Sequence, residues 1–341
     1  MVPIYFITPD ESRPTGGVKQ IYKQVEILNA NGFDAYVVHQ NKKFKINWFQ
    51  HNVPTKYFPK IYLDIEKYRK KGIYYQIKFF FKKLFTSSKL PDEKSVLVLP
   101  EVLAKNLKPD LYPNQRVIFN QNCYYTFLEK RENNTFYEIY EDALTLATIV
   151  VSENSKQYLQ FAFPDIDVQR IRIGIDKPFT YHANKHKQIA YMPRKLGDDL
   201  FQLIQILKNK PAFKEWEFVA INNKTEIEVA QILQNSAIYL STNWQEGFGL
   251  PPAEAMRCGC YVIGYTGNAG TEYFNDVYSI TIENGAILDF AQAVEQAVVT
   301  FNSNPDFIIE KGKKASDFIT ETYTKTLEAN DIITFWTKLL K

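Results

Sequence analysis

The sequence predicts an α/β protein of two domains, each a parallel sheet covered by helices. Three observations predict it. Short apolar runs that end in polar, Gly or Pro residues alternate with amphipathic segments along the whole chain, which is the rhythm of helix-covered parallel sheets. The 341 residues exceed one ordinary core and suit two. A polar, turn-rich segment from Gly174-Ile175-Asp176-Lys177-Pro178 through Lys187 interrupts the rhythm half-way and reads as the linker.

In the first half the apolar runs place strands at Ile4–Ile7, Ala35–Val38, Val96–Leu99, Val117–Phe119 and Thr148–Val151. A helix over Val18–Asn31 carries Ile21, Val25 and Leu28 on one face, and Gly32 stands where a C-terminal cap belongs. In the second half strands are expected at Ile189–Tyr191, Glu217–Ala220, Ala237–Leu240, Tyr261–Ile263 and Ser279–Ile282. Helices alternate with them near Asp198–Lys208, Glu226–Gln234, Pro252–Arg257 and Phe290–Asn302. Over Lys325–Lys341, Ile332, Phe335, Trp336, Leu339 and Leu340 form one apolar helix face that must dock on something.

A net charge of only +3 gives no reason to invoke a nucleic-acid partner. Aromatic content is 15 %, and such rings build cores and also stack on sugars and bases. The three cysteines, Cys123, Cys258 and Cys260, form no disulfide framework, and Cys258-Gly259-Cys260 lacks the spacing of a zinc or redox site. No run of about 18 apolar residues predicts a membrane span. The opening Met1-Val2-Pro3 runs straight into a strand pattern, so no leader is expected and the sequons at Asn133 and Asn223 read as chance.

In open parallel sheets, ligands bind beyond the carboxyl ends of the strands. In the first half those ends carry Thr8-Pro9-Asp10, Pro100-Glu101, Asn120-Gln121-Asn122 and Ser152-Glu153, amides and acids suited to hydroxyl-rich ligands. In the second half they carry Pro193-Arg194-Lys195, Asn222-Asn223, Ser241-Thr242-Asn243 running to Glu246, and Tyr265-Thr266-Gly267. The sharpest signal is Glu246-Gly247-Phe248-Gly249-Leu250-Pro251-Pro252-Ala253-Glu254. Two acids flank a glycine-bearing loop that opens a helix. The N–H groups of Phe248, Gly249 and Leu250 can meet oxygens there, helped by the helix N-terminus. Glu254, expected in the first helical turn, can accept from vicinal hydroxyls such as a ribose diol, and Glu246 can do the same for a sugar.

At these residues the segment Ser241–Phe274 resembles the signature of retaining GT-B glycosyltransferases of family four, the "glycosyl transferases group 1" proteins. The shared core is Glu-x7-Glu with Ala255-Met256-Arg257-Cys258-Gly259-Cys260-Tyr261-Val262-Ile263 behind it. Thr15-Gly16-Gly17-Val18, Ser152-Glu153-Asn154, Ile173-Gly174-Ile175-Asp176 and Tyr191-Met192-Pro193-Arg194-Lys195 resemble further pieces of that family, in its order. The resemblance implies the GT-B fold, two Rossmann-like, doubly wound domains facing a cleft. Residues 1–180 would form the acceptor side, residues 181–322 the nucleotide-sugar side, and the helix over 323–341 would pack back on the first domain. It implies metal-independent transfer with retention, with Arg194, Lys195 and Glu246 as catalytic groups. Gly17, Phe248, Gly249, Leu250 and Glu254 would bind the donor. Glu101, Asn120, Gln121 and Asn122 would meet sugar or acceptor.

Two departures stand out. The family's lysine some five positions after its arginine is Asp199 here; Lys195 is adjacent to Arg194 instead and points to another side. Asn120-Gln121-Asn122 occupies the region where the family often has a histidine, and His39, His51, His182 and His186 offer no obvious substitute. No cofactor is expected, because the nucleotide-sugar is a substrate. Asp165-Ile166-Asp167 resembles the Asp-x-Asp metal motif of the other glycosyltransferase fold but lacks its preceding strand. His182 and His186 lack the glutamate of a zinc helix.

The partners implied are a nucleotide-sugar and a glycan or lipid-linked acceptor, in a cytoplasmic polysaccharide pathway. The stretch 67–89 mixes eight Lys and Arg residues with ten aromatic and aliphatic ones and contains no acid. It reads equally as an anionic-membrane surface or as a docked helix with a solvated basic face. Two other functions fit the same fold: a degenerate GT-B protein that binds without transfer, and a GT-B nucleotide-sugar epimerase.

Overall fold

The computed structural model describes residues 1–69, 90–128, 138–193 and 196–341. Arg194 and Lys195 lie outside them, as does the basic stretch from residue 70 to 89. No described helix is long and apolar enough to cross a membrane.

The chain divides into two compact units, Met1–Ile171 with Ala329–Lys341, and Arg172–Glu328. The sequence reading put these limits at 180/181 and 322/323. The segment after Ile171 and the first turn of the last helix, Lys325–Leu339, go with the second unit because they bond to each other. Gly174 N donates to the buried Glu328 carboxylate at 2.9 Å, and Ile175 N donates to Tyr323 O at 2.7 Å.

The first unit is a seven-stranded, all-parallel sheet: β1 Pro3–Ile7, β2 Asp34–His39, β3 Thr55–Tyr57, β4 Val96–Pro100, β5 Arg116–Asn120, β6 Thr145–Val150 and β7 Val168–Arg170. Their order is β3-β2-β1-β4-β5-β6-β7. The two edge strands were not expected. Thr-Lys-Tyr and Val-Gln-Arg are too short and polar to stand out as apolar runs. The first helix, Gly16–Ala30, buries Val18, Ile21, Val25 and Leu28, and Gly32 follows it at φ 82°, a conformation that favours glycine. Trp336 and Ile332 of the last helix are fully buried, the indole 5.9 Å from the ring of Phe6.

The second unit is a five-stranded parallel sheet: β8 His186–Tyr191, β9 Glu217–Ala220, β10 Ser236–Glu246, β11 Tyr261–Asn268 and β12 Ser279–Thr281. Their order is β12-β11-β10-β8-β9. β10 runs past the apolar Ala237–Leu240, because Ser241, Thr242 and Asn243 continue the ladder against Gly264, Tyr265 and Thr266. Its core joins Ile189, Leu203, Leu207, Ile238, Leu240, Ile263, Val294 and Val298 across sheet and helices.

Each sheet has one reversal of strand order, between β1 and β4 in the first unit and between β8 and β10 in the second. Connections leave to opposite sides at such a point, which opens a crevice beyond the carboxyl ends of the two strands.

Candidate functional site

In the second unit the crevice edge is the end of β10 and the loop after it. The ladder to β11 jumps from Asn243 opposite Thr266 to Glu246 opposite Asn268. Trp244 and Gln245 therefore oppose Gly267 alone, a β-bulge. Asn243 turns inward and is 7 % exposed, and Gln245 takes a left-handed φ of 46°. Gly249 then caps the helix Leu250–Arg257 at φ 83° and ψ 65°. A Cβ on Gly249 would lie 2.6 Å from Asn243 Nδ2 and 2.7 Å from the Tyr273 hydroxyl, so only glycine fits.

Tyr273 orients this loop. Its hydroxyl is buried and donates to Gly249 O at 2.7 Å and Phe248 O at 3.0 Å. A trans peptide points its C=O and the following N–H in opposite directions. With both carbonyls bonded to the Tyr273 hydroxyl, the N–H groups of Gly249 and Leu250 point away from that hydroxyl. Pro251 and Pro252 have no N–H, so Leu250 carries the one donor of the first three helical positions. The Phe248 ring is core: it is 3 % exposed, with its centroid 5.3 Å from that of Tyr273 and 5.2 Å from that of Tyr323. The residue's contribution to a ligand is its backbone. Glu254 is the fifth helical residue rather than one of the first turn, because the helix begins at Leu250. Tyr273→Phe should cost about 1–2 kcal/mol in denaturant unfolding, since it leaves two buried carbonyls without their donor. An unchanged midpoint would show that this hydroxyl does not hold the loop.

Asp199 is occupied. Tyr265 is fully buried and its hydroxyl donates to Asp199 Oδ2 at 3.0 Å. Burial, then the Asp199 carboxylate, push the phenol up to about 12. Asp199 also sits in the first turn of the helix Gly197–Lys208, where an acid suits the helix dipole. The three cysteines are buried and unpaired. Lys185 Nζ donates to Leu233 O, Gln234 O and Cys258 O at 2.8–3.2 Å, capping the ends of two helices.

In the first unit the reversal lies between β1 and β4, and Glu101 stands immediately beyond β4. It is 4 % exposed and accepts from Gln121 N at 3.1 Å. The Gln121 side chain donates to Gly17 O at 3.1 Å, so Gly17, Glu101 and Gln121 come together. Asn120 and Asn122 have structural partners of their own. The Asn120 amide is buried and donates to Thr126 Oγ1 and Tyr140 Oη. Asn122 Oδ1 accepts from Tyr124 N and caps a short 3-10 turn. Strand alternation explains the difference: Asn120 faces the core, and Gln121, the next residue, faces out.

His39 went unassigned in the sequence. It ends β2 with Nδ1 2.9 Å from Asp10 Oδ1 and Nε2 2.6 Å from the Tyr22 hydroxyl. Facing a carboxylate, which only accepts, Nδ1 is the donor of that bond. The Asp10 carboxylate also accepts from Gln40 N and Asn41 N, which ties the loops after β1 and β2. Tyr273 was also missed, and Tyr265 and Asn243 were named only as residues at the ends of their strands.

Residues 199–315 match the family model described as "Glycosyl transferases group 1". An "Alpha-1,6-glucosyltransferase" of Actinobacillus pleuropneumoniae serotype 7 is 28 % identical over 241 residues, 64 % of this chain and 68 % of the relative. The TarM crystal structure superposes with a TM-score of 0.68 at 12 % identity, over 99 % of this chain and 98 % of TarM. Anabaena HepE in complex with UDP-glucose gives 0.67 at 11 % identity, over 99 % and 100 % of the two chains. At such identities the two structures speak for the fold, while family and relative support sugar transfer. With the Glu246–Glu254 loop at the reversal of the second sheet, the chain has the GT-B fold, and its residues 199–315 are similar to the glycosyl transferases group 1 family, which supports sugar transfer.

Proposed function

We propose that the chain transfers a hexose from a UDP-sugar to a glycan or lipid-linked acceptor, with retention and without a metal ion, in polysaccharide synthesis. The observation that carries this reading is the turn at Gly249, fixed by Tyr273 at the start of the helix between Glu246 and Glu254, which leaves the Gly249 and Leu250 amides pointing away from the Tyr273 hydroxyl. Donors held in place by the fold suit the negative charge that grows on a departing diphosphate. Glu254 takes the ribose hydroxyls and Glu246 the transferred sugar. Arg194 and Lys195 are the cations assigned to the diphosphate. In this reading the sugar C1–O bond to the diphosphate breaks as the acceptor oxygen bonds to C1 on the same face. The acceptor proton passes to the leaving phosphate oxygen, so no histidine is required. The acceptor belongs to the first unit, where Glu101, Gln121 and Gly17 meet. UDP is favoured as the carrier because HepE has been crystallised with UDP-glucose, and glucose because of the glucosyltransferase relative.

Calorimetry with UDP, GDP, ADP and TDP tests the donor site. UDP should bind, and Glu254→Ala should lose about 1–3 kcal/mol of that affinity, as removal of a buried hydrogen-bonding partner does. If no nucleotide binds either protein, the donor reading fails. Asp199 favours a second reading, in which the chain binds a donor without transferring its sugar. The residue puts a carboxylate, already engaged by Tyr265, where the family usually has a lysine. Release of UDP from UDP-glucose separates the two readings.

A further inference from the structure

The bulge in β10 exposes an aromatic side chain at the edge of the donor crevice. Trp244 is 43 % exposed, between Asn243 at 7 % and the half-buried Glu246. Trp216 and Trp336 are buried at 7 % and 0 %, and Trp48 is half-buried. Two residues of β10 stand against Gly267 alone, and Gln245 takes a φ of 46°. Bulges re-aim side chains, and a left-handed conformation at a non-glycine residue costs roughly 1–2 kcal/mol. Burying an indole would contribute about 2–3 kcal/mol, so the fold gives up stability twice to present this ring.

We propose that Trp244 is the platform for the pyranose ring of the donor, a specificity-determining residue that favours hexoses with C–H groups gathered on one face. This rests on the donor-site reading above. A pyranose with equatorial hydroxyls directs its axial C–H bonds to the two faces of the ring. Those weakly positive hydrogens match the negative face of an indole, the same complementarity that sets aromatic contacts in general. Chain order decides between sugar and base. Trp244 lies two residues before Glu246, the carboxylate assigned to the transferred sugar. Glu254, assigned to the ribose, lies past the turn on the following helix. The indole therefore stands at the sugar end of the loop and not at the nucleoside end.

The test compares UDP and UDP-glucose binding to the full chain as wild type, Trp244→Ala and Trp244→Phe, by calorimetry and tryptophan fluorescence. In Trp244→Ala, UDP-glucose affinity should fall about 5- to 10-fold while UDP affinity stays within about twofold. Trp244→Phe should recover most of the loss, which a general loosening of the loop would not allow. UDP-glucose should change the fluorescence of the wild type more than UDP does, and that excess should vanish in Trp244→Phe. Equal weakening of both ligands would give the indole to the base and overturn the proposal, and so would no change in either. A wild type that binds UDP but fails the comparison sinks this inference alone. A wild type that binds neither sinks the donor site with it.

Discussion

Gly264→Ala should destabilise the second unit by about 2–6 kcal/mol, the sum of backbone strain and overpacking in a closed site. Gly264 pairs with Ser241 across the β10–β11 ladder at a φ of 134°. A Cβ there would lie 2.1 Å from Ser241 O and 2.7 Å from the Phe290 ring. The first atom is backbone and the second is fully buried, so neither can swing away. The strand cannot shift cheaply either, because Ser241 Oγ donates to Tyr265 O and Ile282 N donates to Gly264 O. Ser241 leads directly into Asn243 and the bulge, so nucleotide binding should disappear along with stability. Urea denaturation checks the first effect and calorimetry with UDP the second. A loss under about 1 kcal/mol would mean the two strands do not approach this closely.

The second large effect depends on pH. Burial raises Glu101 from its ordinary 4.5 to about 7, against the N–H groups of Gln121, Glu101 and Asn122, which favour the carboxylate. The folded protein therefore holds that proton more tightly than the unfolded chain does. The stability linked to it is complete below the unfolded pKa and is lost as pH rises through about 7. Glu101→Gln keeps an oxygen to accept from Gln121 N and never ionises. The variant should match the wild type near pH 4 and exceed it by on the order of 2–3 kcal/mol at pH 8. Denaturant midpoints of both proteins across that range give the answer. A difference that does not vary with pH would mean Glu101 is not buried as a charge in the folded state.

The parts legible in the sequence were the local ones. Val96–Leu99 and Val117–Phe119 declare themselves as strands because an apolar run is its own signal. The Glu246–Glu254 loop is legible because nine consecutive residues hold both acids, the left-handed glycine and the helix start. What fixes that loop is not local. Tyr273 reaches back 24 positions to Gly249, and Tyr265 reaches 66 positions to Asp199. Tyr265 at the end of an apolar strand and Tyr273 beside Phe274 give no sign of either bond. The amides of Asn120, Gln121 and Asn122 were read as one group. Their directions depend on where β5 ends, and it is the Gln121 side chain that reaches Gly17. Glu254 shows the same limit at a helix start, where a shift of one or two positions moves a carboxylate to another turn.

The first unit closes with residues made long after the rest of it. Phe6 and Trp336 share one core, yet the whole of Arg172–Glu328 is synthesised between them. At roughly 5–20 residues per second, ribosomes need on the order of ten to thirty seconds to make that stretch. Through that interval the nascent first unit presents apolar surface that Ile332 and Trp336 later cover, while the second unit is contiguous and can fold once it has emerged. The order of synthesis thus lets the second unit finish before the first, and makes the helix Lys325–Leu339 the step that completes the chain's folding.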